Sequence, residues 1–293
     1  MDGDRRSLGD NISRRDALFG TAAFGASYAL AVQPVEAQTV IVTPSDGLAA
    51  GAVSVKTSDG REMMAYRAMP ASGEGFGTVL VVQEIFGVHA HIADMCRRFA
   101  KVGYYAIAPD LYFRQGDATK VADSQVLIRD YMSKTSDEQV MGDFDSTVAF
   151  AKAEGKADTS KLGITGFCWG GRITWLYDAH NPGIKAAVAW YGPLGSKVTP
   201  LTPRNPIDIV NQLHGPVLGL YGGTDSIITA ESIERMRSAL KDSSNPSATK
   251  SDIHIYPDAG HAFNADNRPS YRKEAAEDGW KRCLAWFKAN GVT

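Results

Sequence analysis

One cysteine has a neighbourhood built for chemistry. Gly166-Phe167-Cys168-Trp169-Gly170-Gly171 sets a thiol between glycines two residues to either side. It stands where a strand-like segment gives way to a helix-like one. A nucleophile on such a sharp turn needs neighbours without side chains, so that strand and helix can approach each other. The next backbone N–H, that of Trp169, then points at a developing oxyanion, and the helix N-terminus favours thiolate over thiol. Two more residues complete a set. Asp225 ends Tyr221-Gly222-Gly223-Thr224-Asp225, 57 residues after the cysteine, and His261 ends Pro257-Asp258-Ala259-Gly260-His261, 36 residues later. Both follow strand-like runs, at the edge where α/β sheets carry their sites. In the order nucleophile, acid, base, His261 acts as general base toward Cys168 and Asp225 orients the imidazole. Asp258 is the competing acid and reads as a turn former. His89 and His91 form an H-x-H that nothing completes as a metal site, and they read as loop or surface histidines.

The elements that must hold this set follow from apolar periodicity. The composition is that of a globular chain, 44% hydrophobic and 22% charged, with a net charge of −2. That balance excludes an electrostatic nucleic-acid binder. Three cysteines, Cys96, Cys168 and Cys283, exclude a disulfide framework and a thiolate zinc cluster. Alternation over 52–56 and 61–69, with a turn at Ser58-Asp59-Gly60, predicts an N-terminal antiparallel hairpin. The unbroken apolar run 78–82 predicts a strand covered on both faces. Further strands are expected at 105–108, 161–165, 185–190, 217–221 and 253–256. Helices are expected at 90–102, 139–152, from 170, 230–240 and 271–288. This alternation gives an α/β class: a doubly wound, mostly parallel sheet with helices on both faces. Segments 111–135 and 192–215 read as irregular loops able to line a pocket. Cys96 and Cys283 fall on inward helix faces, where a disulfide between them is an option.

Residues 1–37 read as an address rather than as fold. Arg14-Arg15 precede a weakly apolar stretch, Ala17 to Val32, of 16 residues, shorter than a membrane span. Val35-Glu36-Ala37 offers small residues at the cleavage position. The pattern is that of a bacterial twin-arginine export signal, which implies the twin-arginine export machinery as a partner and a periplasmic or secreted location. Cleavage after Ala37 leaves 256 residues. Residues 38–50 are then a linker and 51–293 one domain, monomeric or a small homo-oligomer.

The chain resembles the dienelactone hydrolase (carboxymethylenebutenolidase-like) family of the α/β-hydrolases. Four blocks carry the resemblance: Val82-Gln83-Glu84-Ile85-Phe86-Gly87, Ala108-Pro109-Asp110-Leu111-Tyr112, the cysteine turn, and Tyr256-Pro257 with Gly260-His261-Ala262-Phe263. It implies hydrolysis of a small ester or lactone through a thioester acyl-enzyme, with neither metal nor organic cofactor. It also implies that Glu84 lies beside the nucleophile and takes its proton in the resting enzyme. The backbone N–H of Ile85 would be a second oxyanion donor beside that of Trp169.

The sequence departs from lactone-specific members at one position. Those carry an arginine four residues after the catalytic histidine, where this chain has Ala265. Arg268, Arg114 or Arg129 are the candidates to supply a cation instead. Phe86, Tyr112, Trp169, Tyr191 and Phe263 are candidates for an aromatic pocket wall. The expected function is hydrolysis of a dienelactone-type enol-lactone or small ester. The alternatives are a general carboxylesterase and a non-catalytic binding protein on the same scaffold.

Overall fold

A computed structural model describes residues 40–293. The export signal expected over 1–37 lies outside the described residues. Eight strands form one sheet: β1 (Leu48–Lys56), β2 (Glu62–Pro70), β3 (Phe76–Val82), β4 (Tyr105–Pro109), β5 (Ala157–Phe167), β6 (Ile184–Trp190), β7 (Val217–Gly222) and β8 (Asp252–Tyr256), in spatial order β1-β2-β4-β3-β5-β6-β7-β8. The β1–β2 and β2–β4 pairs are antiparallel. From β4 through β3 to β8 every pair is parallel. The hairpin and the buried strand at 78–82 are therefore as the alternation predicts. Val79, Leu80, Val81 and Val82 are fully buried, each side chain contributing about 1.5–3 kcal/mol of burial.

Five long helices cover the sheet: α1 (Ala90–Lys101), α2 (Asp137–Ala153), α3 (Trp169–His180), α4 (Ala230–Lys241) and α5 (Lys273–Ala289). Phe99 of α1 meets Trp280 of α5 at 4.6 Å between ring centroids, so these two share a face. Phe144 of α2 meets Tyr177 of α3 at 5.1 Å. Successive residues of a strand point to opposite faces. A side chain at Gly163 would run into Phe287 of α5, and one at Gly166 into Thr174 of α3, so the two helix pairs lie on opposite faces.

Three details differ from expectation. β1 starts at Leu48, inside the linker expected over 38–50, and Thr43 is tied down as well. Its N–H donates to Asp94 at 2.7 Å and its carbonyl accepts from Arg97 at 2.9 Å. The stretch 111–135 is not wholly irregular: Ala118–Lys120, Ser124–Val126, Leu127–Tyr131 and Met132–Lys134 form successive short helical turns of changing type. Pro206–Gln212 is a further short helix within 192–215. Turns this short carry too few residues for a periodic signal. Cys96 and Cys283 are both free thiols, Cys96 set against the Tyr66 carbonyl. Burial pushes both well above the usual thiol range.

Candidate active site

The ends of β3, β5, β6, β7 and β8 converge on one edge, and each contributes a residue through the loop that follows. Cys168 sits between β5 and α3 with φ 57° and ψ −120°. Positive φ costs a non-glycine residue of order 1–3 kcal/mol and persists only where surroundings enforce it. Here the Cys168 N–H donates to the Trp190 carbonyl at 3.0 Å, and its own carbonyl accepts from Gly171 at 2.9 Å. The flanking glycines are obligatory by space. A Cβ on Gly166 would stand 2.3 Å from the Gly170 carbonyl oxygen, and one on Gly170 2.4 Å from that of Gln83. Trp169 opens α3, so its N–H has no acceptor within the helix.

The structure brings Cys168, Asp225 and His261 together, all buried. His261 donates from Nδ1 to Asp225 Oδ2 at 2.8 Å, and its side chain also hydrogen-bonds that of Cys168. Nδ1 being taken, Nε2 is the nitrogen left for the sulfur. Asp225 is fixed in turn: its Oδ1 accepts the N–H groups of Ile227 at 2.8 Å and Ile228 at 3.2 Å. Burial works against a charged imidazole, but Cys168 and then Asp225 outweigh it and push His261 up to about 10. These neighbours therefore favour a proton on the His261 ring. Two further backbones are strained beside it, Tyr191 at φ 40° and Ala262 at φ 59°. The Tyr191 ring meets His261 edge-on at 5.2 Å and Phe263 at 5.2 Å, while Tyr112 lies 5.1 Å from Trp169.

Glu84 follows β3 and is fully buried. Its Oε2 accepts from Arg268 Nη2 at 2.8 Å and stands 3.3 Å from His89 Nε2. Burial raises a carboxyl's pKa, yet Arg268 and then His89 prevail and hold Glu84 at about 2. The Arg268 guanidinium also lies 4.4 Å from the centre of the Phe86 ring. Of the three candidate cations, Arg268 alone reaches this site. Arg114 is bound through two nitrogens to Asp143, at 2.7 and 2.9 Å, and to Asp59 at 3.0 Å. Arg129 is two-thirds exposed and paired with its neighbour Asp130. Ala265 is fully buried.

A cavity of about 540 Å³ borders the Glu84–Arg268 pair, lined by Phe86, His89, Val121, Asn267, Arg268 and the strap at 40–42. A larger one, about 610 Å³, lies against α2 and α3 and includes none of the candidate residues. Two of its acids are already paired, Asp137 with Arg172 and Asp145 with His180. The smaller cavity touches Arg268 and His89, the partners of Glu84, while Cys168, Asp225 and His261 line neither cavity. Among the described residues no cluster could hold a metal ion. The H-x-H histidines are not surface residues: the His91 side chain is 2% exposed and that of His89 16%. The missed signal was position, since the motif starts a helix five residues after Glu84.

A parallel sheet with a strained G-x-C-x-G turn at its edge, and an acid and a histidine on the next loops, defines an α/β-hydrolase. The chain belongs to the dienelactone hydrolase family, whose model matches residues 63–291. A "Putative carboxymethylenebutenolidase" of Methylorubrum extorquens is 55% identical over 294 residues, covering 100% of this chain and 99% of that one. One of the same name from Escherichia coli K12 is 52% identical, over 90% of this chain and 95% of the relative. The crystal structure of a "Putative Dienelactone Hydrolase" from Klebsiella pneumoniae superposes with a TM-score of 0.79 at 50% identity, covering 82% of this chain and 98% of that one. The chain is thus a hydrolase of the lactone and carboxylic-ester class.

Proposed function

We propose that this hydrolase cleaves small lactones or esters through a Cys168–His261–Asp225 triad and a thioester acyl-enzyme. The observation that carries the reading is the His261 ring, bonded to Asp225 on one side and to Cys168 on the other. His261 takes the thiol proton and the sulfur attacks the carbonyl carbon. The backbone N–H groups of Trp169 and Ile85 receive the oxyanion. The intermediate collapses, the alkoxide leaves with the proton from His261, and the acyl group remains on sulfur. Water then gives a proton to His261 and attacks the thioester, releasing the acid and restoring the thiol. Glu84, expected from the resemblance to take the thiol proton, is instead held ionised by Arg268 and His89. It therefore governs the thiol's ionisation through its charge, which that pairing turns toward those groups. Arg268 lines the cavity, and its Nε and Nη1 are buried with no protein acceptor among the described residues, so a substrate oxygen would have to displace neighbouring groups to meet them.

Ala265 at the family's arginine position favours a second reading, a carboxylesterase of broader range than enol-lactone carboxylates. A panel of anionic enol-lactones and neutral aryl esters, run with wild type and Cys168→Ala, tests both. Turnover lost in the variant supports the triad, and the preferred arm of the panel chooses the substrate class. Wild-type turnover in Cys168→Ala overturns the triad, and no turnover of any substrate by the intact protein favours a binding role. Export and cleavage after Ala37 belong to the same proposal. N-terminal sequencing of the periplasmic protein tests them, and a cytoplasmic chain beginning at Met1 would contradict them.

A further inference from the structure

The H-x-H motif makes and breaks no bond in the reaction just described, yet it is stitched into the site from two sides. His89 caps α1: its Nδ1 accepts the His91 N–H at 3.3 Å. A backbone N–H can only be met by an acceptor, so Nδ1 carries no proton. The ring proton of the neutral imidazole therefore resides on Nε2, which faces Glu84 Oε2 at 3.3 Å. Burial holds His89 below the usual histidine range even with a carboxylate beside it, which keeps that neutral form. The ring is held in orientation as well. It stacks on His91 at 6.1 Å and meets Phe86 edge-on at 6.2 Å.

His91 is anchored in its turn, its Nδ1 lying 3.4 Å from Asp266 Oδ1, and Asp266 is clasped by Arg98 of α1. Asp266 and Arg268 both lie on the segment that follows His261. The start of α1 and the loop after the histidine thus grip Glu84 together. Arg268 does so from the loop and His89 from the helix, and both bond the same oxygen, Oε2.

We infer that His89 is a positioning residue, whose Nε2–H fixes the Glu84 carboxylate against Arg268 and away from the Cys168 sulfur. The inference rests on the reading that Glu84 governs the thiol. Without the His89 donor only Arg268 restrains the carboxylate, and its negative charge is free to approach Cys168 and oppose loss of the thiol proton. The charged and titratable groups facing this pair are Arg268, His91, Tyr191, Asp266 and Cys168 itself.

The test is the pH profile of kcat/KM for a neutral aryl ester, which reports ionisations in the free enzyme. His89→Asn keeps an acceptor for the His91 N–H, and asparagine is a good helix cap, but it has no atom that reaches Glu84. His89→Gln restores a donor at nearly the lost reach. The acid limb should move up by about one pH unit in His89→Asn, cutting kcat/KM about tenfold on that limb, with KM little changed. It should return in His89→Gln. In a Glu84→Gln background, His89→Asn should shift nothing further. A His89→Asn profile that superimposes on wild type, with Cys168→Ala inactive, overturns this inference alone. A fully active Cys168→Ala overturns the underlying reading instead. A shift that persists in the Glu84→Gln background shows that His89 acts by another route and also refutes the inference.

Discussion

Replacing Gly166 by alanine should damage this protein severely, and the cost can be worked from contacts. The new Cβ would lie 2.3 Å from the Gly170 carbonyl oxygen, 2.7 Å from its carbon and 2.6 Å from Thr174 Oγ1. An ordinary contact is about 1 Å longer, since the carbon–oxygen distance at rest is roughly 3.3 Å. Two of the three obstacles are backbone. The third cannot turn away freely, because Thr174 Oγ1 already donates to the Gly170 carbonyl at 2.9 Å. Relief must come from lifting the first turn of α3 off β5. Overpacking of this kind costs about 3 kcal/mol or more, against which alanine's smaller unfolded-state entropy returns less than about 1. The urea midpoint should fall by about 1 M, taking a slope near 3 kcal/mol/M. The same displacement moves Cys168 and the Trp169 N–H, and about 1 Å there should lower kcat/KM by about 10²-fold. Gly51→Ala is the control, because nothing lies within 4 Å of its Cβ. A Gly166→Ala protein with the wild-type midpoint and rate would refute the steric account of the turn.

The remaining predictions concern charge. Glu84→Gln leaves Arg268 buried without its counter-ion and should cost about 3 kcal/mol at pH 7, read by urea denaturation. Because the folded Glu84 lies near 2, below the ordinary carboxyl value of 4.5, its contribution is fully present above pH 4.5 and is lost as pH falls toward 2. The difference between wild type and Glu84→Gln should therefore shrink across that window, and a constant difference would contradict the pairing. Arg114→Ala strands the buried Asp143 and should lower stability by about 2–3 kcal/mol with KM nearly unchanged, whereas Arg129→Ala should alter stability by less than about 0.5 kcal/mol and leave KM alone. A tenfold rise in KM in either variant would restore that arginine as a substrate contact.

The sheet and the trio were legible because each signal is local. β3 is a continuous apolar run, and Cys168, Asp225 and His261 each sit within five residues of a strand end. Glycine spacing around Cys168 encodes a close approach that the structure realises at Gly170. The Glu84–Arg268 pair was not legible, since 184 residues separate its members. It forms only because the segment after His261 folds back over the start of α1. His89 and His91 were misread for the same reason: composition cannot tell that a loop from the far end of the chain buries them. Arg114 looked available because its partner Asp143 lies on the inward face of α2, where a carboxylate is not expected without a cation to meet it.

The central claim is a covalent acyl group on one sulfur, and it can be read directly. Mixing the protein with an aryl acetate, quenching in acid within the first turnovers and mapping peptides by mass spectrometry should find one acetyl group. It should sit on the peptide carrying Cys168, as a thioester released by hydroxylamine, and be absent in Cys168→Ala. Steady turnover of the same ester with Cys168 unmodified, or with the acetyl group on another residue, would contradict the mechanism.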